Sequence, residues 1–413
     1  MPCASCSRYV SDSVDAHGFP RASIRDGWEH DDPEAWPELD EASLADLIGI
    51  RGEGLELGQL TRIPVSWFLM RASLSDDPLA PTTWRSFIRS ARRIARGVRA
   101  TLDRRTPDVV VLCNGLFLFE AIAWAVCRER GIDVVTYERG YIKETLVFRR
   151  NDEAQTLDRY LDDRRHGRRT IDRYWDDAEF AEPRRSRPGR LVALFPNLTW
   201  DSAVIGQSVA FASIQEWLAT TIEFFAARAE HELVIRLHPA EVKLPGKQTR
   251  EPLGAFIEQR FPTPPSNVRI IAAEADTSSY PLMDECDVGL VFTSTTGLEL
   301  ALQGKPVIVA GRTHYRDKCF TLDATSPEHF EKLLDEALFE PSAYVPDVEM
   351  VRRYAYLFFF RSALASPGVV EHIPGLARIT VRDLDELAPG RNESLDRICD
   401  GILGGGDFLP AVR

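Results

Sequence analysis

Val291-Phe-Thr-Ser-Thr-Thr-Gly-Leu-Glu-Leu-Ala-Leu-Gln-Gly-Lys-Pro-Val-Ile-Val-Ala-Gly311 reads in order as a strand, a hydroxyl-rich turn, a short helix and a second strand. A strand feeding directly into a helix gathers unpaired backbone N–H groups at one point, and the helix dipole favours an anion there. Ser294, Thr295 and Thr296 add hydroxyls at the same point. Glu299 falls inside the helix, where it can accept hydrogen bonds from sugar hydroxyls, and Gly304 ends the helix before Lys305 and Pro306. The stretch has the form of a phosphate pocket, and a nucleotide-sugar suits it.

The flanking sequence repeats the alternation. Strands are expected at 190–195, 232–237, 268–272, 287–293 and 306–310, separated by helices near 208–230, 250–260, 279–285, 297–303 and 327–338. Ser326 as N-cap and Pro327 at the first helical position mark the start of the last helix. Five strands separated by helices imply a parallel, doubly wound sheet. Upstream, Pro107-Asp-Val-Val-Val-Leu-Cys113 reads as a buried strand, Leu116 to Arg130 as a helix and Asp133-Val-Val-Thr-Tyr137 as a second strand. Residues 1–80 show few strand patterns, and 151–189 read as a polar connection. The expected architecture is therefore α/β, with two Rossmann-like domains facing a cleft and the N-terminal one degenerate or shortened. The expected boundaries are 1–188, 189–345, and a helical tail at 346–413 packing back on the first domain.

Length and composition agree with this division. A chain of 413 residues exceeds one ordinary core and fits two domains of roughly 150 to 200 residues. Apolar content of 44% with 26 Gly and 26 Pro is that of a folded protein. The net charge of −13 speaks against a nucleic-acid partner, which needs a basic footprint. No run approaches ~18 apolar residues and no signal-peptide pattern opens the chain, so a cytoplasmic location is expected. Seven cysteines, an odd number, read as reduced thiols. Cys3 and Cys6 form a CxxC, but a structural zinc needs four ligands and no second pair follows. No metal or cofactor is expected, and the one Asp-x-Asp, Asp383-Leu-Asp385, reads as a surface feature.

Ligands of open α/β sheets bind at the carboxyl ends of strands, which selects the remaining candidates. His238-Pro239 follows the strand ending at Leu237 and could clamp a phosphate opposite the 294–296 turn. Asn197 and Asp201 follow the first strand of the second domain, and two readings stand: a loop with Asp201 as a cap, or both residues facing the cleft. Ser279 either caps a helix with Ser278 or touches the nucleotide. His314 and Tyr315 either contact the transferred sugar or pack their loop. In the first domain, Asn114-Gly115 and Glu138-Arg139-Gly140 occupy the corresponding strand ends.

Arg236-Leu-His-Pro-Ala-Glu241, Ser278-Ser279-Tyr280, Thr293-Ser-Thr-Thr-Gly-Leu-Glu299 with Gly304-Lys305-Pro306, and Tyr315 to Asp323 together resemble the capsule polysaccharide biosynthesis glycosyltransferases. That family has the GT-B architecture and includes Kdo transferases with CMP-linked donors. The likeness is strongest over 190–330. It implies that His238 and Ser294 to Thr296 hold the donor phosphate and that Glu299 binds the ribose. On this reading Glu138 is the first choice of catalytic base and Asp201 the second, with leaving-group charge falling on His238 and the turn. The acceptor is a saccharide or a lipid-linked one. A sugar-nucleotide 2-epimerase and a non-catalytic saccharide-binding or assembly subunit are the alternatives.

Arg85, Arg89, Arg92, Arg96 and Arg99 fall at spacings of four, three, four and three, which lines them along one helix face. They form either a solvated face or a positive stripe for an anionic glycan or anionic membrane carrying the acceptor.

Overall fold

The computed structural model describes residues 35–75, 77–140, 144–151, 188–243, 249–361, 363–366, 368–373 and 376–409, with Ser11 and Ser23. Cys3, Cys6 and most of the polar connection lie outside these residues.

After short helical turns at Pro37–Glu41 and Asp46–Gly49, the N-terminal half carries two long helices, α1 (Leu57–Leu69) and α2 (Ala80–Arg105). Trp84, Ile88, Ala91, Ala95, Val98 and Leu102 recur at helical spacing on α2, so one stripe is buried and the opposite one is left to charge. Strand β1 (Val109–Cys113), helix α3 (Leu118–Glu129) and strand β2 (Asp133–Arg139) form one parallel β-α-β unit, with Val111 opposite Val135. Strand β3 (Thr145–Arg150) then returns antiparallel to β2. Among the described residues, the first sheet is thus a parallel pair continued by antiparallel strands.

The second half is a full doubly wound sheet. Its elements are β4 (Leu191–Phe195), α4 (Ile214–Ala226), β5 (Glu232–Arg236), α5 (Ala240–Lys243), α6 (Leu253–Arg260), β6 (Val268–Ile271), α7 (Tyr280–Glu285), β7 (Val288–Val291), α8 (Thr296–Leu302), β8 (Val307–Val309), β9 (Leu322–Asp323) and α9 (Pro327–Phe339). All six strands are parallel, in the order β6-β5-β4-β7-β8-β9. Every residue of β4, β5 and β7 is buried, as strands covered by helices on both faces require. Gly289 in β7 lets α8 approach, since a Cβ there would lie 2.4 Å from Leu300 Cδ1. Ser326 Oγ accepts the His329 N–H at 3.1 Å at the start of α9.

One expected helix starts late. Residues 208–212 are expected to be helical, but Ser208 bridges to Gly311 and the Ala210 N–H donates to Ala310 O, so this segment bends against the end of β8 instead. Helix α4 begins only where Ser213 Oγ can cap the Glu216 N–H.

Past α10 (Val348–Tyr356) the chain reaches the first sheet, where β10 (Leu364–Ala365) pairs antiparallel with β3. Helix α11 (Glu393–Leu403) follows, and Phe408 beyond it stacks on Phe148 of β3 at 5.3 Å. Arg150 of the same strand donates to Gly401 O and Ile402 O at the end of α11. No helix among the described residues is long and apolar enough to cross a membrane.

The arginine stripe of α2 is answered from within the chain. Arg85 donates to Leu39 O and Ala42 O, Arg89 pairs with Asp40, Arg92 and Arg96 share Glu53, and Arg99 pairs with Glu129. Acids about 30 to 50 positions away in sequence thus pair with four of the five arginines that spacing left as either a solvated face or a positive stripe. Burial raises the Glu53 carboxyl, but Arg96 and Arg92 outweigh it and hold the group below its ordinary range. Glu53→Gln should destabilise the fold by about 0.5–1 kcal/mol at low salt and by less at high salt. Denaturant titrations at two ionic strengths check this, and a salt-independent cost would refute it.

Candidate functional site

In the second sheet the chain fills positions from β4 outward through β5 and β6, then returns to the other side of β4 with β7, β8 and β9. The order reverses between β4 and β7, and a crevice opens at the carboxyl end of such a reversal. The loop after β4 carries Asn197, and the loop after β7 carries Thr293 to Thr296. Asn197 Oδ1 accepts the Thr293 N–H at 3.0 Å and ties the two loops together. His238 follows β5, the next strand over.

Each loop is braced by its own residues. Ser294 Oγ accepts the Thr296 N–H at 3.2 Å and donates to Thr296 Oγ1 at 3.0 Å, shaping the turn into α8. Tyr315 OH donates to Ser294 O, and the ring is fully buried. A Cβ on Gly297 would meet Tyr315 OH at 2.3 Å, so glycine is needed where the phenol passes beneath the helix. Tyr315 is thus a strut under the turn, which corrects the expectation that it touches the ligand. Glu299 sits further into α8 and is 3% exposed, so a ribose hydroxyl reaches it only by entering the fold.

His238 Nδ1 accepts the Ala240 N–H at 3.1 Å, and His238 O accepts the Glu241 N–H at 3.0 Å. The sequence quoted Arg236 only as part of a motif, yet it organises the neighbouring loop. Its guanidinium donates to Leu237 O, Ala272 O, Ala275 O and Thr277 O, with burial lowering its pKa to about 10. An arginine ending an otherwise apolar strand is the sequence signal for such a role. Ser278 Oγ accepts the Tyr280 N–H at 3.2 Å and takes the capping position. Ser279, at the positional N-cap, makes no side-chain capping bond.

Asp201 Oδ1 accepts the Ala203 N–H at 3.0 Å inside a turn, and the next helix is capped by Ser213, so Asp201 is not the helix cap that one reading expected. His314 packs its loop: its ring stacks on Phe358 at 3.9 Å and Nδ1 lies 2.9 Å from Tyr354 OH. Burial, with Arg149 and Lys318 nearby, pushes the imidazole down to about 3 and keeps it neutral. Thr199 and Thr293 were missed as candidates. Their hydroxyl oxygens are buried without a partner among the described residues, and both stand on the two loops that Asn197 ties together.

In the N-terminal unit Asn114 and Gly115 turn with φ of 24° and 84° directly after β1. Asn114 Nδ2 donates to Glu138 Oε2 at 2.8 Å, and the Arg139 N–H donates to Glu138 Oε1 at 2.9 Å. Both carboxylate oxygens are held at the strand ends of the first sheet. Among the described residues Glu138 makes no hydrogen bond to the second unit.

A family model for capsule polysaccharide biosynthesis proteins covers residues 147–344. The chain is similar to that family. The match takes in all six strands of the second sheet and every candidate phosphate-binding residue. Among solved structures, the β-Kdo 2,4 transferase of Thermosulfurimonas dismutans KpsC is 15% identical, covering 55% of this chain and 79% of that one at a TM-score of 0.35. Its β-Kdo 2,7 transferase is also 15% identical, covering 58% and 78% at 0.34. A putative UDP-N-acetylglucosamine 2-epimerase from Listeria monocytogenes is 10% identical, covering 65% and 77% at 0.32. No curated protein sequence matches the chain.

Glu241 supplies a pH test of this region. It is 1% exposed, and burial, reinforced by Glu274 and opposed by the Leu253 N–H, pushes its carboxyl up from 4.5 to about 7. The folded protein therefore holds a proton that the unfolded chain releases, and the stability this group contributes is lost as pH rises between those values. Glu241→Gln should gain on the wild type by at least about 1 kcal/mol from pH 4.5 to 7.5. Denaturant curves at the two pH values measure it; an unchanged difference would count against a neutral buried carboxyl.

Proposed function

We propose that the protein is a glycosyltransferase, moving a sugar from a nucleotide-sugar donor to a saccharide or lipid-linked acceptor in surface polysaccharide biosynthesis. The observation that carries this reading is the tie of Asn197 to Thr293 at the strand-order reversal of the parallel sheet, with the His238 loop leaving the neighbouring strand on the same edge. The match to capsule polysaccharide biosynthesis proteins over the same residues supports it.

In the proposed reaction the donor phosphate lies between His238 and the Ser294 to Thr296 turn, whose N–H groups, hydroxyls and dipole stabilise the departing charge. Glu299 and Asn197 meet the nucleoside side. Glu138 takes the proton of the acceptor hydroxyl as the glycosidic bond forms. Asn114 and the Arg139 N–H fix that carboxylate in one orientation. Asp201 is the second choice of base. The arginines of α2, already paired within the fold, are the further candidate surface for an anionic acceptor or membrane.

Incubation with nucleotide-sugars, with and without acceptor glycans, tests the activity. Nucleotide release that depends on acceptor supports transfer, whereas isomer formation without acceptor would indicate an epimerase and binding without turnover a subunit. His238→Ala and Ser294→Ala should each weaken nucleotide binding by roughly 1–3 kcal/mol. Calorimetry giving wild-type affinity for both would remove the phosphate assignment. Glu138→Gln should retain donor affinity while turnover falls by about two to four orders of magnitude. If Asp201→Asn is inactive and Glu138→Gln active, the two acids exchange roles.

A further inference from the structure

The two units meet through a set of charges built around a buried carboxylate. Asp77 has a fully buried side chain, with Oδ2 lying 2.6 Å from Arg250 Nη1 and 3.5 Å from Arg71 Nη1. Its Oδ1 accepts the Leu79 N–H at 2.8 Å. Glu251 takes Arg71 on Oε1 and the Ser73 N–H on Oε2, the latter at 3.1 Å. Two acids and two arginines thus balance across the boundary, and the Arg250 N–H donates to Met70 O at 3.2 Å beside them.

The segment that carries Arg250 and Glu251 is gripped at both ends by Glu241. The Thr249 N–H donates to Glu241 O at 3.1 Å, and the Leu253 N–H donates to Glu241 Oε1 at 3.2 Å. Trp200 Nε1 adds a bond to Thr249 Oγ1 at 2.9 Å while its ring meets Trp67 edge-on at 5.3 Å. Glu241 itself is bonded through its N–H to His238 O. Asp77 in one unit is therefore linked to His238 in the other through Arg250, the strap 249–253 and Glu241.

We propose that Asp77 is a positioning residue for the phosphate end of the nucleotide site, acting on His238 through this strap. The inference rests on the reading of His238 as a phosphate ligand. Without the Asp77 charge, Arg71 keeps Glu251 while Arg250 loses the carboxylate it pairs with, and its guanidinium, 39% exposed, is free to swing towards water. The swing pulls on Thr249 and Leu253, the two points that hold Glu241 in register with His238. By reciprocity, a nucleotide that fixes His238 also tightens the contact between the units.

The test is a double-mutant cycle on nucleotide affinity, measured by calorimetry well below every variant's thermal midpoint. The probe is whichever of CMP, UDP, GDP and dTDP raises the wild-type midpoint most. Asp77→Asn and, should that variant fold poorly, Arg250→Gln should each weaken binding about 5- to 10-fold, and Arg250→Lys should stay within about twofold of wild type. In a His238→Ala background Asp77→Asn or Arg250→Gln should change affinity by less than about twofold, because the residue they act through is gone. Equal losses in both backgrounds, or wild-type affinity in both Asp77→Asn and Arg250→Gln, would overturn the proposal and leave Asp77 a purely structural ion. A His238→Ala variant that binds normally, or a wild type that binds none of the four nucleotides, removes the site reading first and the coupling with it.

Discussion

Parallel pairing is the constraint on which the rest of the second unit depends. Strands that all run one way must each be followed by a crossover, so every connection that leaves a strand end leaves from the same edge. Residues from 195 to 201, from 237 to 241, from 292 to 296 and from 310 to 316 are thereby brought to one rim although they span more than a hundred positions of sequence. Apolar side chains on both faces of β4, β5 and β7 keep water out of the sheet, and the helices that cover them leave the rim as the place where polar side chains collect. The same geometry explains why bracing residues are as prominent as candidate ligands. Arg236 and Tyr315 are buried polar groups whose bonds go to loop carbonyls, holding irregular backbone in one shape.

Much of this organisation was legible in the residues. Runs such as Leu191 to Phe195 and Glu232 to Leu237 have the length and composition of strands covered on both faces, and Ser326-Pro327 marks a helix start chemically rather than statistically. The unpaired N–H groups of a strand-to-helix turn follow from Thr293-Ser-Thr-Thr-Gly297 without knowledge of neighbours. What stayed hidden were partners. Nothing in Arg85 to Arg99 shows that Asp40, Glu53 and Glu129 lie opposite, because periodicity reports which face a residue occupies and not what stands across from it. Tyr315 likewise reads as a plausible ligand contact until its burial against Gly297 is known. The bent path of Ser208 to Ala212 was hidden for the same reason, since two of its bonds go to residues about a hundred positions ahead.

The first unit differs in kind from the second. Its sheet holds one parallel pair and two antiparallel ones, and the outermost strand is lent by the far end of the chain. Glu138 therefore stands on a smaller and partly open scaffold, with Val111 of β1 43% exposed. Its orientation depends on the local turn at Asn114 and Gly115 more than on deep burial.

The loan of β10 also sets an order on biosynthesis. A nascent chain that has delivered β1, β2 and β3 to the ribosome exit still lacks residues 364–365, while the whole six-stranded sheet between them can close as soon as β9 emerges. The later half is thus able to mature before the earlier one. Until the C-terminal segment arrives, β3 exposes its backbone N–H and C=O groups along one side, an invitation to pairing with another chain. Arg149 and Arg150 at the end of that strand place two positive charges there, the kind of residue that discourages such pairing during the wait.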